Sequence, residues 1–115
     1  MKATITSLIF LLLSLTVSSQ TYKYIGIEEG LSNQKIYKIQ KDARGYMWFL
    51  THVGIDQYNG KEIKHYKLRE GNRELDPLLN INWTFLDKTG TLLVTGKQGR
   101  IFRYDSGHDR FVQIY

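Results

Sequence analysis

The carboxylates and histidines of this 115-residue chain are the side chains that could perform acid–base chemistry. Such chemistry needs paired carboxylates, or a histidine beside a nucleophile, in surroundings that perturb their pKa values. The spacing predicts neither, because the candidate aspartates stand at expected turns or strand ends: Asp42, Asp56, Asp87, Asp105 and Asp109. Asp is common at turns since its carboxylate accepts hydrogen bonds from nearby backbone amides. We therefore predict no catalytic residue in this chain.

Metal and nucleic-acid chemistry are equally poorly supported. His52, His65 and His108 are not spaced as metal ligands are, and we expect them at the surface. The chain has no cysteine, which excludes a thiolate metal site and a disulfide framework. Its net charge is +5, but lysines and arginines are scattered among acidic residues rather than gathered in one stripe. The sequence thus predicts no metal, no cofactor and no nucleic-acid partner.

The elements that would position any functional side chain repeat after about 45 residues. The recurring positions are Asp42, Gly45 and Gly54 in the first copy, and Asp87, Gly90 and Gly99 in the second. Each copy contains runs of β-branched and aromatic residues separated by Asp, Asn and Gly residues that favour turns, a pattern typical of β-propeller blades. The predicted fold is all-β: two four-stranded antiparallel blades of a larger propeller, following a cleaved signal peptide.

The first copy has two strong local signals. The apolar run from Tyr46 to Thr51 predicts a strand that is buried on both faces. We interpret Trp48 in this strand as a core residue whose indole N–H bonds to a carbonyl. The alternative is a platform on which a sugar stacks, and the apolar neighbours of Trp48 disfavour it. Asn59-Gly60 is the strongest hairpin signal and predicts a type I′ turn.

The start of the chain has the layout of a secretory signal peptide over residues 1–19: a basic residue, an apolar run and small residues before a cleavage site between Ser19 and Gln20. An uncleaved membrane anchor is the alternative, but the apolar run is too short to span a bilayer. The other predicted segments are residues 20–29, with a strand at 22–27 that would complete a distant blade, then blade 1 (30–67), a linker loop (68–78) and blade 2 (79–115).

The order of motifs from residue 30 to residue 66 resembles the first blade of the two-component regulator propeller repeat, and the second copy resembles a degenerate form of it. The resemblance is carried by Gly30-Leu31-Ser32-Asn33, Ile36, Tyr37, Ile39, Asp42, Gly45, Met47-Trp48-Phe49, Thr51, Gly54-Ile55, Tyr58-Asn59-Gly60 and Tyr66. It implies a periplasmic sensor propeller followed by a β-sandwich, a transmembrane helix and a histidine kinase, often of hybrid type. Many such sensors detect oligosaccharides.

The kinase parts of that family are not in this sequence, so we interpret the chain as the N-terminal piece of a longer sensor. A truncated gene, an incomplete gene model and an expression boundary would each explain this. The resemblance implies an exported segment on the periplasmic side of a Gram-negative inner membrane. Its expected partners are an oligosaccharide, the remaining propeller blades, downstream sensor domains and a second copy in a full-length homodimer.

Two other functions stay open at this point. One is a secreted carbohydrate-active or adhesive propeller without a kinase; the other is a two-blade protein that closes a ring with copies of itself. By position alone, the loops His52-Val53 and Lys97-Gln98 are candidates for ligand binding. They are equally explained as ordinary exposed loops.

Overall fold

The computed structural model describes residues 22–76 and 81–115, which form two four-stranded antiparallel sheets with a small hairpin between them. The first sheet, blade 1, contains β1 (Ile36–Lys41), β2 (Met47–Thr51), β3 (Gly54–Tyr58) and β4 (Ile63–Tyr66). The hairpin contains β5 (Arg69–Glu70) and β6 (Arg73–Glu74). The second sheet, blade 2, contains β7 (Ile81–Leu86), β8 (Leu92–Gly96), β9 (Ile101–Asp105) and β10 (Arg110–Gln113).

The all-β prediction is confirmed, since the described helical structure is one 3₁₀ turn over Lys97–Gly99. Within residues 22–76 and 81–115, no helix has the length and apolar character needed to cross a membrane. The predicted signal peptide and its cleavage site between Ser19 and Gln20 lie outside the described residues, as do residues 77–80.

Each blade is a simple meander in which every strand pairs with the next one along the chain. In blade 1, Trp48 of β2 lies opposite Gln57 of β3. In blade 2, Val94 of β8 lies opposite Phe102 of β9. This is the antiparallel four-stranded arrangement expected of propeller blades.

The sheets of the two blades pack against each other around one hydrophobic core. Trp48 and Leu50 lie on one face of β2, because side chains two residues apart point to the same side of a strand. They pack against the face of β8 that carries Leu92 and Val94. By the repeat spacing, this β8 face corresponds to the opposite face of β2, which carries Phe49. The blades therefore stack head to tail, in the way that successive propeller blades do.

Two further contacts align the blades. At one end, the backbone N–H of Ala43 donates to the carbonyl oxygen of Gly90 at 3.0 Å, which joins the β1–β2 turn to the β7–β8 turn. Gly90 has φ +77°, and a Cβ there would lie 2.3 Å from the Cβ of Ala43. Along the first strands, Lys38 Nζ donates to the Thr84 carbonyl at 2.6 Å and lies 4.1 Å from the Trp83 ring centroid.

The segment before blade 1 differs from the sequence prediction. Residues 22–25 have no regular secondary structure and residues 27–30 form a turn, so the predicted strand at 22–27 is not formed. The Gly26 carbonyl accepts from the backbone amides of Glu29 and Leu31, which folds the chain back on itself. A strand also needs a neighbour with which to pair, and none lies beside these residues in the described structure. That this segment completes a distant blade stays a prediction.

The predicted linker loop contains structure of its own. Strands β5 and β6 pair within it, and the backbone amide of Leu75 donates to the carbonyl of Leu68 at 2.8 Å. Leu68 is 2% exposed and Leu75 is 4% exposed, and both belong to the core between the blades. The linker therefore covers the outer part of the blade stack rather than only connecting it.

The hairpin at Asn59-Gly60 forms, but its predicted type is wrong. A type I′ turn needs positive φ at both central residues, whereas Gly60 has φ +95° and Asn59 has no positive φ. Tyr58 pairs with Ile63, so four residues form the loop. The Asn59 side-chain oxygen accepts from the backbone amides of Lys61 and Glu62 at 2.9 Å each. These two bonds stabilise the longer loop.

Candidate functional site

The first Asp-x-x-Gly turn is built around the carboxylate of Asp42. Its Oδ1 accepts from the backbone amides of Arg44 at 2.9 Å and Tyr46 at 3.1 Å. Its Oδ2 accepts from the indole N–H of Trp48 at 2.9 Å. The turn role predicted for Asp42 is therefore confirmed. The predicted carbonyl partner of Trp48 is wrong, because the carboxylate of Asp42 takes that bond.

The second turn repeats this arrangement with a different partner. Asp87 Oδ1 accepts from the backbone amides of Thr89 at 2.8 Å and Thr91 at 3.0 Å. Leu93 occupies the position in the second copy that corresponds to Trp48, and its side chain has no N–H to donate. Asp87 Oδ2 instead accepts from Arg103 Nε at 3.0 Å. The Thr89 hydroxyl also donates to Asp87 Oδ1, at 2.6 Å, and this bond, with the Thr91 amide and the Arg103 guanidinium, holds the pKa of Asp87 well below its usual range. Each turn thus fixes its aspartate through both oxygens.

Trp48 lies at the centre of an aromatic cluster between the blades. Its ring centroid is 5.3 Å from that of Tyr66 in blade 1, and 4.7 Å and 5.5 Å from those of Tyr104 and Phe111 in blade 2. Trp48 is 1% exposed, so its ring faces are covered by protein and cannot receive a sugar. In this structure Trp48 is a core residue.

Asp109 joins the two blades near this cluster. Its Oδ1 accepts from the hydroxyls of Tyr104 at 2.6 Å and Tyr66 at 2.5 Å, and its Oδ2 lies 3.3 Å from Lys64 Nζ. The two hydroxyl bonds lower the pKa of Asp109. Burial and the bond to Asp109 raise the pKa of Tyr66. The predicted turn position of Asp109 is correct, but the sequence did not indicate that it bonds across the blades.

A serine, a histidine and an aspartate meet on the opposite face of blade 1. Ser32 Oγ lies 2.6 Å from Asp56 Oδ1 and 2.6 Å from His65 Nδ1, and that same Nδ1 lies 2.8 Å from Asp56 Oδ1. In a nucleophilic triad, one ring nitrogen of the histidine accepts the serine proton and the other donates a hydrogen bond to the carboxylate. Here one nitrogen contacts both partners, so the arrangement lacks the relay of a serine hydrolase.

This cluster instead anchors the Gly-Leu-Ser segment to blade 1. The backbone amide of Ser32 donates to Asp56 Oδ2 at 2.7 Å, and Leu31 is buried beside it. Asp56 is 0% exposed in the middle of β3, so its predicted place at a strand end or turn is wrong. Asp56 can be buried in the strand because a buried carboxylate needs hydrogen-bond donors, and Ser32 supplies two, its backbone amide and its hydroxyl.

The loop residues predicted as ligand candidates lie at equivalent places in the two blades. His52 and Val53 connect β2 to β3, and Lys97 and Gln98 form the 3₁₀ turn between β8 and β9. His52 Nδ1 lies 2.5 Å from the hydroxyl of Tyr37, and the two rings stack. Val53, Lys97 and Gln98 are exposed. Both loops lie at the end of the blades opposite the two Asp-x-x-Gly turns, since successive turns of a meander alternate ends.

One further histidine makes a local pair with an aspartate. His108 Nδ1 lies 2.7 Å from Asp105 Oδ2, and this contact lowers the pKa of Asp105. No group of three or more His, Cys, Asp or Glu side chains suited to a metal ion occurs in residues 22–76 and 81–115. Between the two Asp-x-x-Gly turns lies a cleft of about 150 Å³, lined by polar groups that include Arg44 and Arg103.

The comparison with protein families agrees with this geometry. Residues 30–52 match the model of the family described as "Two component regulator propeller". This segment is therefore similar to a two-component regulator propeller repeat. It runs from the Gly-Leu-Ser segment, which the Asp56 cluster anchors, through β1, the Asp42 turn and all of β2. The predicted family resemblance is confirmed for this region. A search of curated proteins gave no match.

Proposed function

We propose that this chain is a ligand-sensing segment of a two-component signal transduction protein. The supporting observation is the propeller repeat at residues 30–52, placed within two blades that stack head to tail. On this proposal the segment is exported and works on the periplasmic side of a Gram-negative inner membrane. It performs no catalysis itself, and the parent protein, acting as a homodimer, carries the histidine kinase, in hybrid form.

The division between rigid and exposed parts of the blades is consistent with sensing. The interior is held by the buried Trp48 and by Asp109, which bonds to Tyr66 and Tyr104 of different blades. At the end of the blades opposite the Asp-x-x-Gly turns, Val53, Lys97 and Gln98 are exposed and lie outside that core. Loops placed on a rigid scaffold are the usual location of binding residues. An oligosaccharide is the proposed ligand class, and its binding would shift how the blades pack against the rest of the sensor.

The proposal can be tested in cells that express the gene, with an antibody raised against the purified chain. The sensor proposal predicts a reactive band in the membrane fraction, larger than the 13.5 kDa of this chain. It also predicts that the band is labelled by ATP on an acid-labile phosphohistidine. A band found only in the culture medium, without such labelling, would contradict the proposal and favour a secreted propeller without a kinase.

A further inference from the structure

A wide groove lies on the outer side of the blade stack, between β4, the β5–β6 hairpin and β10. Its volume is about 640 Å³, within the range of small-molecule sites. Its lining includes Arg69, Asn72 and Arg110, with the aromatic rings of Tyr66 and Phe111. Both walls belong to this chain, because β5 lies beside β10. The described lining of the groove therefore comes from the two blades and the hairpin between them.

Two of the cations in this lining have no acidic partner. Arg69 and Arg110 make no ion pair and no side-chain hydrogen bond in residues 22–76 and 81–115. The rest of the chain cannot supply one, since residues 1–21 and 77–80 contain no Asp or Glu. By contrast, Arg100 and Arg103 are both paired with carboxylates. The groove thus holds two guanidinium groups that form no ion pair with a carboxylate of the described residues; Glu74, opposite Arg69 in the hairpin, pairs with Lys67 instead.

The acidic side chain in the groove does not compensate for them. Asp109 already accepts from two tyrosine hydroxyls and lies 3.3 Å from Lys64 Nζ. A third basic side chain, Lys67, also lines the groove and lies 3.0 Å from Glu74. The lining therefore carries three basic side chains, Lys67, Arg69 and Arg110, against one acidic side chain, Asp109. Asn72 adds a side-chain amide that can donate further hydrogen bonds to an anion.

We propose that this outer groove binds a ligand that bears carboxylate or sulfate groups, through Arg69 and Arg110. A guanidinium presents a planar fork of N–H donors that matches the paired oxygens of these groups. The groove is distinct from the end loops considered above, and the proposal does not depend on whether the chain belongs to a signalling protein. The ligand could be a free inorganic anion or an acidic organic chain, because both present the same oxygen groups.

The test is isothermal titration of the purified chain at low ionic strength, where exposed charges are least screened. The probes are inorganic sulfate, trigalacturonate and the neutral trisaccharide maltotriose. We expect an anion to bind and maltotriose not to bind. Similar affinities for sulfate and trigalacturonate would indicate a small-anion site, whereas much tighter binding of trigalacturonate would indicate an acidic chain. Absence of binding by both anions would overturn the proposal.

The decisive comparison uses two double variants that remove the same charge. Arg69→Ala with Arg110→Ala should weaken anion binding at least about tenfold, as expected for the loss of charge-assisted hydrogen bonds. Lys61→Ala with Lys88→Ala changes two exposed cations outside the groove and should change the affinity less than about twofold. Equal losses in the two variants would mean nonspecific attraction to a basic protein and would contradict the proposal.

A milder pair of substitutions separates a loss of binding from a loss of folding. Arg69→Lys with Arg110→Lys keeps both charges but loses the fork, and it should still weaken binding measurably. Circular dichroism of every variant should match that of the unmodified chain, because both arginines are exposed. If the lysine variant bound as tightly as the unmodified chain, recognition by the paired guanidinium groups would be wrong.

Discussion

The packing of Trp48 between the blades gives the sharpest prediction about stability. Replacing Trp48 with Ala removes a ring that is 1% exposed and lies 4.7 Å, centroid to centroid, from Tyr104 of the other blade. Cavities of this kind cost about 3–5 kcal/mol. The change also leaves Asp42 Oδ2 without its donor, which adds a penalty of about 1–3 kcal/mol for an unsatisfied buried group. Because the free energy of unfolding of a whole domain is about 5–15 kcal/mol, this substitution should remove a large part of the stability of the chain.

The assay is urea denaturation followed by far-UV circular dichroism. The matched control is Trp83→Ala, since Trp83 is 54% exposed and the same side chain is removed. We expect a loss of at least about 3 kcal/mol for Trp48→Ala and a much smaller loss for the control. If Trp48→Ala is too unstable to measure, Trp48→Phe should still cost about 1–3 kcal/mol through the lost N–H donor. Equal losses for Trp48→Ala and Trp83→Ala would refute the core assignment.

Three further predictions concern the turn contact, the hairpin and the interblade carboxylate. Gly90→Ala should destabilise by about 1–3 kcal/mol more than Gly60→Ala in the same denaturation assay, because both have positive φ but only the Gly90 Cβ meets a neighbour; equal effects would contradict the turn contact. Leu75→Ala should cost about 2–5 kcal/mol and the exposed Ile39→Ala only about 0.5 kcal/mol, whereas equal costs would mean that the hairpin is a plain linker. Asp109 has a lowered pKa when folded, so its stabilisation is present above about pH 4 and is lost as pH falls through that lowered pKa. The melting temperature of Asp109→Asn should therefore lie below that of the unmodified chain at pH 7 and approach it in strong acid; a constant gap would contradict this.

The repeat was the part of the fold that the sequence made predictable. Asp42, Gly45 and Trp48 have local roles: a turn that needs an acceptor for its backbone N–H groups and a residue with positive φ, followed by a dense apolar strand. Such features depend on residues a few positions apart, so their pattern is visible without the fold. The strands β1 to β4 and β7 to β10 follow from them.

What the sequence could not supply was the pairing of distant residues. Asp56 looks like any aspartate near a turn until Ser32, from a separate segment, is brought against it. Leu68 and Leu75 stand in a polar stretch and become core residues only because the linker folds against the two blades. Arg69 and Arg110 are far apart in sequence, and only the fold places both in one groove. These are tertiary effects that local pattern does not encode.

The central structural claim is that the two repeats stack as adjacent blades, and one NMR measurement tests it directly. Nuclear Overhauser contacts should be recorded from the indole protons of Trp48 to the aromatic rings around it. The stacked arrangement predicts cross-peaks from Trp48 to Tyr104 and Phe111 of blade 2, whose ring centroids lie 4.7 Å and 5.5 Å away. Cross-peaks to Tyr66 of blade 1 alone would mean that the blades do not pack together, and would contradict the account.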